Sequence, residues 1–541
     1  MSAGSSVSAG APVSAGASEQ ALRATHAALA GAEAWLVGGA PRDRLLGRST
    51  GDLDVVVHGS TAAAARAIAR AAGGAACFEL SAEFSGWRVV ARDRSWQVDL
   101  QPLRGDSLAA DLALRDFTVN AIAEPLAGGA PVDPLGGIAD LNARRLRMAG
   151  PRAFADDPLR ALRLVRIALE LELQPDEPTL AAASRSAGEL QHVAGERIFM
   201  ELRRIVASPH VLAGLEMMRS LGLTAAVLPE LEALQGVEQS RFHHRDVYGH
   251  TLEVLERTVA LADDPAAVLG LDGTASRDAP PGAHRVEAGG RGSDARTRGI
   301  EAGGRALNAG GRDVDAGELV HGVSSLLAEP LADEMTRGEA LRWGALMHDL
   351  AKPLTAAVDP AGRVTFFGHD ARGAELARSV LGRLRASERL RAHVAGLVRH
   401  HLRLGFLVHE PQPLARRTVF EYLRTTAPVE VDVTLLSVAD RLATRGDRAA
   451  ESIGAHLRLA RAVLADALRW RELGPPPALW RGDELAHELG LEPGPRLGRL
   501  LAELEAAQYA GELATREQAL AHARAQLAAA GPDRVDRPPT L

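Results

Sequence analysis

Cysteine, lysine and long apolar runs are almost absent from this sequence of 541 residues. Cys77 is the single cysteine, which excludes an internal disulfide framework and a zinc site built on cysteines, and fits a reducing compartment. No run of about 18 apolar residues is present, so no membrane-spanning helix is expected. The first charged side chains are Glu19 and Arg23, so the start lacks the charge pattern of a secretory or transit signal, and the expected location is cytoplasmic.

Positive charge comes almost entirely from arginine, because Lys352 is the only lysine. With 62 basic against 69 acidic residues, the net charge of −7 argues against a surface that binds nucleic acid everywhere. An RNA site must therefore be a local patch. Between residues 142 and 167 arginines exceed aspartates by five, and these arginines are Arg144, Arg145, Arg147, Arg152, Arg160, Arg163 and Arg166.

Two kinds of hydrophobic periodicity divide the chain. Short apolar segments predict strands at Ala34–Val37, 54–57 and 96–100. Helical patterns lie between them, so the first 145 residues are expected to be α/β or α+β, and helical periods dominate after about residue 150. Between about 264 and 317, an imperfect Gly-Gly-Arg repeat without aromatic residues predicts a disordered insertion.

Two carboxylates stand at the start of the second predicted strand. Side chains alternate along a strand, so Asp52 and Asp54 are expected on one face and Leu53 in the core. Adjacent carboxylates need a cation to offset their repulsion, and Mg²⁺ prefers carboxylate and phosphate oxygens. Such a pair holds two metal ions in nucleotidyl transfer. Asp99, on the third predicted strand, is a candidate third carboxylate.

A glycine pair, Gly38-Gly39, ends the strand before these carboxylates. Glycine lets the backbone approach a triphosphate closely, and Pro41 suits the first turn of a helix whose positive N-terminus faces phosphate. Either pattern alone is weak. The order strand, Gly-Gly, helix, Asp-x-Asp, strand points to nucleotidyl transfer.

The block at residues 36–57 resembles the class II tRNA nucleotidyltransferases, which are the CCA-adding enzymes, and the related bacterial poly(A) polymerases. Residues 114–122 are similar to the ribose and phosphate motif of that family, with Leu114 where the family usually has an arginine. The resemblance implies an α+β fold, with a polymerase-β-like head followed by an all-α neck, an HD domain and a helical tail. It assigns catalysis to Asp52, Asp54 and Asp99. It assigns nucleotide binding to Gly38, Gly39, Arg42, Asp43, Arg115, Asp116, Asn120, Asp157, Arg160 and Arg163.

Residues 156–163 resemble the segment that reads the incoming base in this family. Asp157 and Arg160 are spaced i, i+3, so on one helical face they would present an acceptor and a fork of donors to a single base edge. Cytosine and adenine carry an exocyclic amine beside a ring-nitrogen acceptor, whereas uracil and guanine place a carbonyl there. The choice of C or A then needs no nucleic-acid template. Further along, Arg197 and Glu201 are expected to brace the neck helices.

A second group of motifs contains histidine and aspartate, and its order along the chain resembles an HD-type metal-dependent phosphohydrolase. Such a metal ion lowers the pKa of bound water and polarises a phosphate. By resemblance, the ligands of one divalent ion of unknown identity are His250, His348, Asp349 and Asp440. His369 and His401, or its neighbour His400, would serve the substrate or a second ion, and Lys352 would contact phosphate.

The predicted domains are a flexible tail (1–20), a nucleotidyltransferase head (21–145), a helical neck with the base-selecting motif (146–235), an HD domain (236–445) and a helical, tRNA-binding tail (446–541). The predicted function is addition of CCA to tRNA 3′ ends from CTP and ATP with Mg²⁺ at the head, together with HD phosphohydrolase activity. Neither a membrane nor DNA is an expected partner. An A-adding enzyme or poly(A) polymerase shares the head motifs and stays an alternative. So do an HD phosphohydrolase or phosphodiesterase with a relic head, and a non-catalytic RNA-binding protein.

Overall fold

The chain folds into two compact units. The structure is a computed structural model that describes residues 15–81, 85–239, 244–271, 305–307, 313–445 and 449–530. One unit reaches to Glu232 and includes Arg383–Ala386, and the other contains the remaining described residues from Ala233 onward. Within the described ranges, no helix combines the length and the apolar character that crossing a membrane requires.

The first unit is built on a six-stranded mixed sheet. Its strands are β1 (Ala34–Val37), β2 (Asp52–Val57), β3 (Ala76–Ser81), β4 (Gly86–Val90), β5 (Gln97–Pro102) and β6 (Ala123–Pro125). They lie in the order β3-β4-β5-β2-β1-β6, where β2 and β5 are parallel and the other neighbours are antiparallel. The three predicted strands are confirmed as β1, β2 and β5. The sheet and its helices confirm the α+β fold class.

Helices precede, connect and follow these strands. Those of the first unit are α1 (Ala15–Leu29), α2 (Gly39–Leu45), α3 (Thr61–Ala71), α4 (Leu108–Ala113), α5 (Gly137–Asn142), α6 (Ala153–Asp156), α7 (Arg160–Leu171), α8 (Glu177–Arg185), α9 (Gly195–Ala207), α10 (Val211–Ser220), α11 (Leu223–Val227) and α12 (Pro229–Glu232). Short 3-10 turns cover Thr118–Asn120 and Ala187–His192, and a small parallel pair joins β7 (Arg145–Leu146) to β8 (Gln174–Pro175).

The two faces of the sheet differ in what covers them. Helices α1 and α3 pack on one face, where Leu53, Val55 and Val57 of β2 join their buried core. Val56 belongs to a separate small cluster on the opposite face, and strand alternation places Asp52 and Asp54 on that same face. The covered face therefore stabilises the sheet, and the opposite face remains available for a site.

The first helix begins earlier than the sequence analysis predicts. Helix α1 starts at Ala15, and Ala17, Ala21 and Ala24 are buried at helical spacing against the sheet. The prediction of a flexible tail is therefore wrong for residues 15–20, because small alanine side chains supply an apolar stripe that the Ser-Ala-Gly repeat concealed. The remaining tail residues, 1–14, lie outside the described residues.

The second unit is mainly helical. Its helices are α13 (Val247–Asp263), α14 (Pro265–Val268), α15 (Ala316–Ala328), α16 (Arg337–Met347), α17 (Lys352–Thr355), α18 (His369–Arg383), α19 (Glu388–His400), α20 (Arg403–Leu407), α21 (Arg416–Thr426), α22 (Glu430–Ala443), α23 (Ala449–Leu473), α24 (Gly482–Leu489), α25 (Pro495–Ala510) and α26 (Arg516–Ala530). Its strand pairs are β9 (Arg305–Leu307) with β10 (Asp313–Asp315), β11 (Pro330–Ala332) with β12 (Met335–Thr336), and β13 (Ala357–Val358) with β14 (Val364–Thr365).

Helix α16 is the central helix of this bundle. A capping box of Thr336 and Glu339 starts it, and all residues of the helix except Glu339 are buried. Helices α13, α19 and α22 pack against it. A helix that is buried on all sides fixes whatever follows its last turn, and that position is occupied by His348 and Asp349.

Most of the predicted insertion, residues 272–304 and 308–312, lies outside the described residues. At its edges the structure contains helix α14 and the short antiparallel pair of β9 with β10. Helices α24, α25 and α26 at the end of the described chain share a separate small core that includes Leu485, Leu500 and Leu504.

Candidate active sites

The predicted carboxylates meet on the open face of the sheet. Asp52 and Asp54 are exposed on β2, whereas Leu53 between them is 2% exposed, which confirms the predicted alternation. The parallel register of β2 and β5 places Asp54 beside Asp99. Arg88 on β4 stands opposite Asp99 and donates two hydrogen bonds to it, at 2.6 and 2.7 Å. The sequence analysis did not find Arg88, because its place beside Asp99 depends on the register of β4 with β5.

The charge on Asp54 is unfavourable in the metal-free site. Solvent reaches its oxygens from the cleft, but protein surrounds the other sides. This burial raises the pKa of Asp54 to about 6, where Arg115 acts in the opposite direction and the charges of Asp99 and Asp52 add to the rise. A bound cation would relieve this repulsion, so the donor set fits Mg²⁺.

Gly38 leaves the space in front of Asp54 open. Its backbone has φ +75°, and a Cβ atom there would lie 2.8 Å from Asp54 Oδ2 and 3.3 Å from Arg115 Nη1. Any larger residue would strain the backbone and crowd the carboxylate. The glycine that the sequence analysis associated with phosphate approach thus also keeps a metal-binding oxygen accessible.

A cleft of about 320 Å³ opens above these carboxylates, and its lining includes Asp54, Arg115, Asp116, Arg160 and Arg163. Arg115 is held from behind by Asp111, a fully buried carboxylate that also accepts from Arg104. Together with Arg104, four guanidinium groups line this cleft and create a positive region that suits a triphosphate.

A chain of hydrogen bonds fixes the polar wall of this cleft. Arg42 donates to Asp43 at 2.8 Å and to Asn120 at 2.5 Å. Asn120 in turn donates to Asp116 at 2.9 Å, and Arg163 donates to the other oxygen of Asp116 at 3.2 Å. The structure therefore brings together five of the predicted nucleotide-binding residues from three separate segments, and their mutual bonds hold them in one orientation.

The predicted geometry of the base-reading pair is wrong. Asp157 does not share a helical face with Arg160, because α6 ends at Asp156, Asp157 is extended, and α7 starts at Arg160. Pro158 supplies the physical reason, since the residue before a proline is disfavoured in the helical region. The proline was visible in the sequence and could have prevented the error.

Both side chains of this pair contact other parts of the first unit. Asp157 accepts a hydrogen bond from Arg197 at 2.8 Å, and Arg160 donates to the backbone oxygens of Leu114, Arg115 and Ala153 at 2.9 to 3.2 Å. A nucleotide that used Asp157 and Arg160 would therefore exchange partners with these groups.

Glu201 joins α9 to α7. It is 6% exposed, lies 2.5 Å from Arg166 Nε and 3.5 Å from Arg163 Nε, and so fixes the helix that carries Arg163. Arg160, Arg163 and Arg166 recur every three residues on one side of α7, which is why one carboxylate contacts two of them.

The histidines and aspartates of the second unit also converge, at a buried point among several helices. The described residues contain two overlapping groups whose ligand atoms lie within 4.8 Å of one another: His250, His348 and Asp349, and Asp349, His369 and His401. Asp440 on α22 adds a carboxylate oxygen 3.0 Å from His250 Nε2. His400 is outside both groups and accepts from Arg403 at 3.0 Å, so the structure selects His401 from the predicted pair.

Three of these histidines are oriented in the same way. The Nδ1 atoms of His348, His369 and His401 each lie 2.7 to 2.8 Å from the carbonyl oxygen three residues earlier. A carbonyl only accepts, so Nδ1 carries the proton and Nε2 presents a lone pair. Yet His369 Nε2 and His401 Nε2 are 3.3 Å apart, and His348 Nε2 is 3.1 Å from Asp349 Oδ2. A cation must lie between acceptor atoms at these distances. At His348 it can be a proton, because burial acts to lower the pKa of His348 but the charge of Asp349 outweighs burial and raises it. A divalent metal ion can replace that proton, since imidazole plus carboxylate is a ligand set for such ions.

The electrostatics of this centre are opposite to those of the head. The pKa of Asp349 lies well below its usual range: burial acts to raise it, but the charges of His348 and Lys352 outweigh burial. Burial, with a contribution from His348, lowers the pKa of His401 to about 4. A metal ion requires its carboxylate ligands to be ionised and its histidine ligands to be neutral, and these shifts favour that state for Asp349 and His401.

Lys352 closes one side of the centre. Its Nζ atom lies 2.7 Å from Asp349 Oδ2 and donates to Gln239 at 2.6 Å, and it stands over the Phe366 ring at 5.4 Å. The single lysine of the chain therefore lies beside the candidate metal ligands, and its contact with phosphate stays a prediction. Gln239 was not identified from the sequence, since it precedes the histidine motifs and belongs to no recognisable pattern.

Comparison with known proteins identifies the family of the chain. The poly A polymerase head domain matches residues 34–147, the probable RNA and SrmB-binding site of polymerase A matches residues 172–235, and the HD domain matches residues 324–445. The A-adding tRNA nucleotidyltransferase of Deinococcus radiodurans is 35% identical over 90% of this chain and 94% of its own length. The chain belongs to the tRNA nucleotidyltransferase family.

Other members of the family differ in the nucleotides that their names give. The CC-adding tRNA nucleotidyltransferase of Thermus thermophilus is 32% identical over 90% of this chain and 92% of its own length. Among solved structures, a CCA-adding enzyme with ATP has a TM-score of 0.56 at 16% identity and covers 95% of both chains. That structural likeness supports the fold, which is a tRNA nucleotidyltransferase fold with an HD domain.

Proposed function

We propose that this chain adds CMP and AMP to the 3′ end of tRNA and thereby completes the CCA sequence, with release of pyrophosphate. The observation that carries the proposal is the group of three carboxylates, Asp52, Asp54 and Asp99, on one face of the sheet beneath a cleft lined by arginines. CTP, ATP and tRNA are the proposed partners. A cytoplasmic location stays a prediction from the sequence.

Different residues of the head have different roles in the reaction. Asp52 and Asp54 would hold Mg²⁺, which when bound favours deprotonation of the attacking 3′-hydroxyl and neutralises the leaving pyrophosphate. Arg115 and Arg163 bind the phosphates, because their guanidinium groups line the cleft beside Asp54. Asp116, ionised by its contacts with Arg163 and Asn120, accepts hydrogen bonds from the ribose.

Base choice rests on Asp157 and Arg160, once they exchange their present partners for the base. A carboxylate acceptor beside a guanidinium donor selects bases whose exocyclic amine stands next to a ring-nitrogen acceptor, as in cytosine and adenine, whereas uracil and guanine have a carbonyl at the position of that amine. The same two side chains therefore accept both CTP and ATP and reject UTP and GTP. An enzyme that adds only A is the second candidate, because the Deinococcus relative carries that name.

We also propose that the HD centre hydrolyses a phosphate ester. His250, His348, Asp349 and Asp440 would hold the divalent ion, which when bound supplies a water of lowered pKa. His369 and His401 direct Nε2 lone pairs at the same point, and Lys352 provides a positive charge for the phosphate.

One set of reciprocal variants tests both proposals. The substrates are transcripts of one tRNA that end before CCA, after C and after CC, each given CTP or ATP separately, with product sequencing. We expect two C additions from CTP and A addition only after CC. Asp52→Asn and Asp54→Asn should each lose at least about 100-fold in incorporation. Asp93→Asn is the control, because Asp93 is an exposed carboxylate bonded only to nearby Ser95.

The same preparations are assayed with bis(p-nitrophenyl) phosphate and Mn²⁺. Asp349→Asn should abolish hydrolysis and retain incorporation. Equal incorporation by wild type, Asp52→Asn and Asp54→Asn would contradict the head mechanism. Loss of the main activity in Asp349→Asn with retention in Asp54→Asn would instead establish the relic-head alternative. Addition of A to the CC-ended transcript alone would identify the A-adding candidate.

A further inference from the structure

A second cleft lies beside the proposed triphosphate site. It has a volume of about 380 Å³. Leu114, Pro151 and Ala153 form an apolar part of its wall, and Arg152 and Asp156 contribute charged groups. Arg160 lines both this cleft and the neighbouring one that contains Asp54.

Consecutive residues of the chain line the two clefts. Arg115 lines the triphosphate cleft, and Leu114 before it lines the second cleft. Arg160 reaches the backbone oxygens of both residues. The guanidinium group of Arg160 therefore lies between a molecule bound against Leu114 and a nucleotide bound against Arg115.

Leu114 is an unusual residue for this position. Its side chain is 43% exposed, although it is large and apolar. The family resemblance gives arginine here, so this chain has an apolar surface where a positive charge is usual. Exposed apolar groups next to a catalytic cleft favour a ligand with a flat, weakly polar face, and a nucleobase has such a face.

The charged groups of the cleft suit the rest of a nucleotide. The Arg152 side chain is 82% exposed and forms an ion pair with Asp156 at 2.9 Å. An exposed pair of this kind is weak, so Arg152 can turn to a phosphate of the RNA backbone at little cost. The cleft thus combines an apolar surface for a base with a cation for the adjoining phosphate.

We propose that this cleft binds the 3′-terminal nucleobase of the acceptor RNA and that Leu114 supplies its stacking surface. This inference rests on the proposed nucleotidyl transfer. In that reaction the 3′-oxygen must lie about 3 to 3.5 Å from the α-phosphate, so the terminal nucleotide must occupy space next to the triphosphate cleft.

The chemistry of the wall favours the acceptor base over the incoming base. The terminal base of the acceptor differs from tRNA to tRNA before the first addition, so its site must hold a base by its face and tolerate any edge. Apolar contact does this. The incoming base must instead be read along its edge, and Asp157, which would read it, is not among the described residues that line this cleft.

Crosslinking tests the location directly and needs no turnover. The probe is a tRNA transcript that lacks CCA and carries 4-thiouridine as its 3′-terminal nucleotide. Irradiation of its complex with the full chain should give a crosslink at residues 113–114 or 150–153, identified by mass spectrometry. A terminal-nucleotide crosslink that maps elsewhere overturns the inference, whether or not the enzyme incorporates nucleotides.

Kinetics of Leu114 variants test the role of the side chain. Leu114→Gln should raise the KM for tRNA about tenfold and leave the KM for CTP within twofold, whereas Leu114→Phe should keep the tRNA KM at or below the wild-type value because it retains an apolar surface for the base. Leu80→Gln is the matched control, since Leu80 is 45% exposed on the edge strand β3.

The outcomes separate this inference from the proposed function. An unchanged tRNA KM in Leu114→Gln overturns it, and so does a rise in the KM for CTP alone, which would give the cleft to the incoming base. A wild-type chain that crosslinks at the predicted residues but adds no nucleotide would support the binding site and contradict the proposed function.

Discussion

The two candidate sites use acidic side chains in opposite electrostatic settings. In the head, Asp54 is reached by solvent and has a pKa raised to about 6, so its ionised form is disfavoured in the metal-free protein. In the HD centre, Asp349 is 1% exposed and has a pKa well below the usual range, so its ionised form is favoured. Burial acts to raise both pKa values. At Asp54 the charge of Arg115 offsets burial only in part and Asp99 and Asp52 add to the rise, whereas at Asp349 the charges of His348 and Lys352 outweigh burial.

This difference predicts how readily each site would exchange a metal ion with the solvent. The head carboxylates lie on an open sheet face, so a cation can enter and leave together with a nucleotide. The HD ligands come from several helices and are buried, and their Nδ1 hydrogen bonds hold them in place. We expect exchangeable metal at the head and more tightly held metal at the HD centre.

Gly38→Ala should break the head and leave the HD centre intact. Its new Cβ atom would lie 2.8 Å from Asp54 Oδ2, so the carboxylate must move, and a shift of this size costs about 100-fold in transfer rate. Incorporation of CMP into a tRNA that lacks CCA measures the loss. Hydrolysis at the HD centre should stay within twofold of wild type.

Gly73→Ala is the matched control for that variant. Gly73 has the same φ of +75° but nothing within 4 Å of its Cβ position, so an alanine there also adopts a positive φ, without a crowded carboxylate. If Gly73→Ala reduced incorporation as much as Gly38→Ala, the loss would have to come from backbone strain, and the role given to the space in front of Asp54 would be wrong.

Asn substitutions at the two sites should change metal-free stability with opposite signs. Asp349→Asn leaves His348 and Lys352 without their buried partner, so it should lower the free energy of unfolding by about 3 kcal/mol. Asp54→Asn removes a carboxylate whose charge is disfavoured, so it should leave stability unchanged or raise it. Calorimetry in the presence of a chelator measures both.

Asp370→Asn is the control for the HD variant. It is near in sequence to His369 but pairs only with Arg399, at 3.4 Å, on a partly exposed surface. Its effect on the unfolding temperature should be small. A higher free energy of unfolding in Asp349→Asn would show that the negative charge of Asp349 does not stabilise the HD centre, and the opposite electrostatic settings of the two sites would then be wrong.

The smallest expected effect is the dependence on pH of the Mg²⁺ concentration that the head requires. The pKa of Asp54 is raised, so below about pH 6 a proton competes with Mg²⁺ for this carboxylate. The Mg²⁺ concentration for half-maximal incorporation should rise about tenfold for each pH unit below 6. Asp52→Asn removes one of the charges that raise this pKa, so the rise should begin at lower pH. A flat profile down to pH 4 would contradict the raised pKa.

Strand alternation explains why much of the head was predictable. Asp52, Leu53 and Asp54 follow a period of two, and the structure places them as that period requires. The same local reasoning failed at Asp157, where Pro158 interrupts the helix on which the i, i+3 spacing depended. It also missed the start of α1, because alanine stripes carry a weak apolar signal.

Partners that lie far apart in the sequence could not be derived from spacing. Arg88 beside Asp99 depends on the register of β4 with β5, and Asp157 beside Arg197 joins positions 40 residues apart. Gln239 and Lys352 are separated by 113 residues. No periodicity extends over such distances, so these contacts emerge only when helices and strands pack.

The sequence alone determined which chemical groups this protein has and which local faces they occupy: a carboxylate pair on a strand, a glycine before it, and histidines and aspartates in an HD order. Periodicity acts between near neighbours, so it was sufficient for the carboxylate pair, whereas the HD order was identified by its resemblance to a known family. Tertiary structure decided which groups meet. It placed Arg88 on Asp99, aimed three histidine Nε2 atoms at one point and opened the Leu114 cleft beside Arg160, because packing among distant segments alone sets those distances.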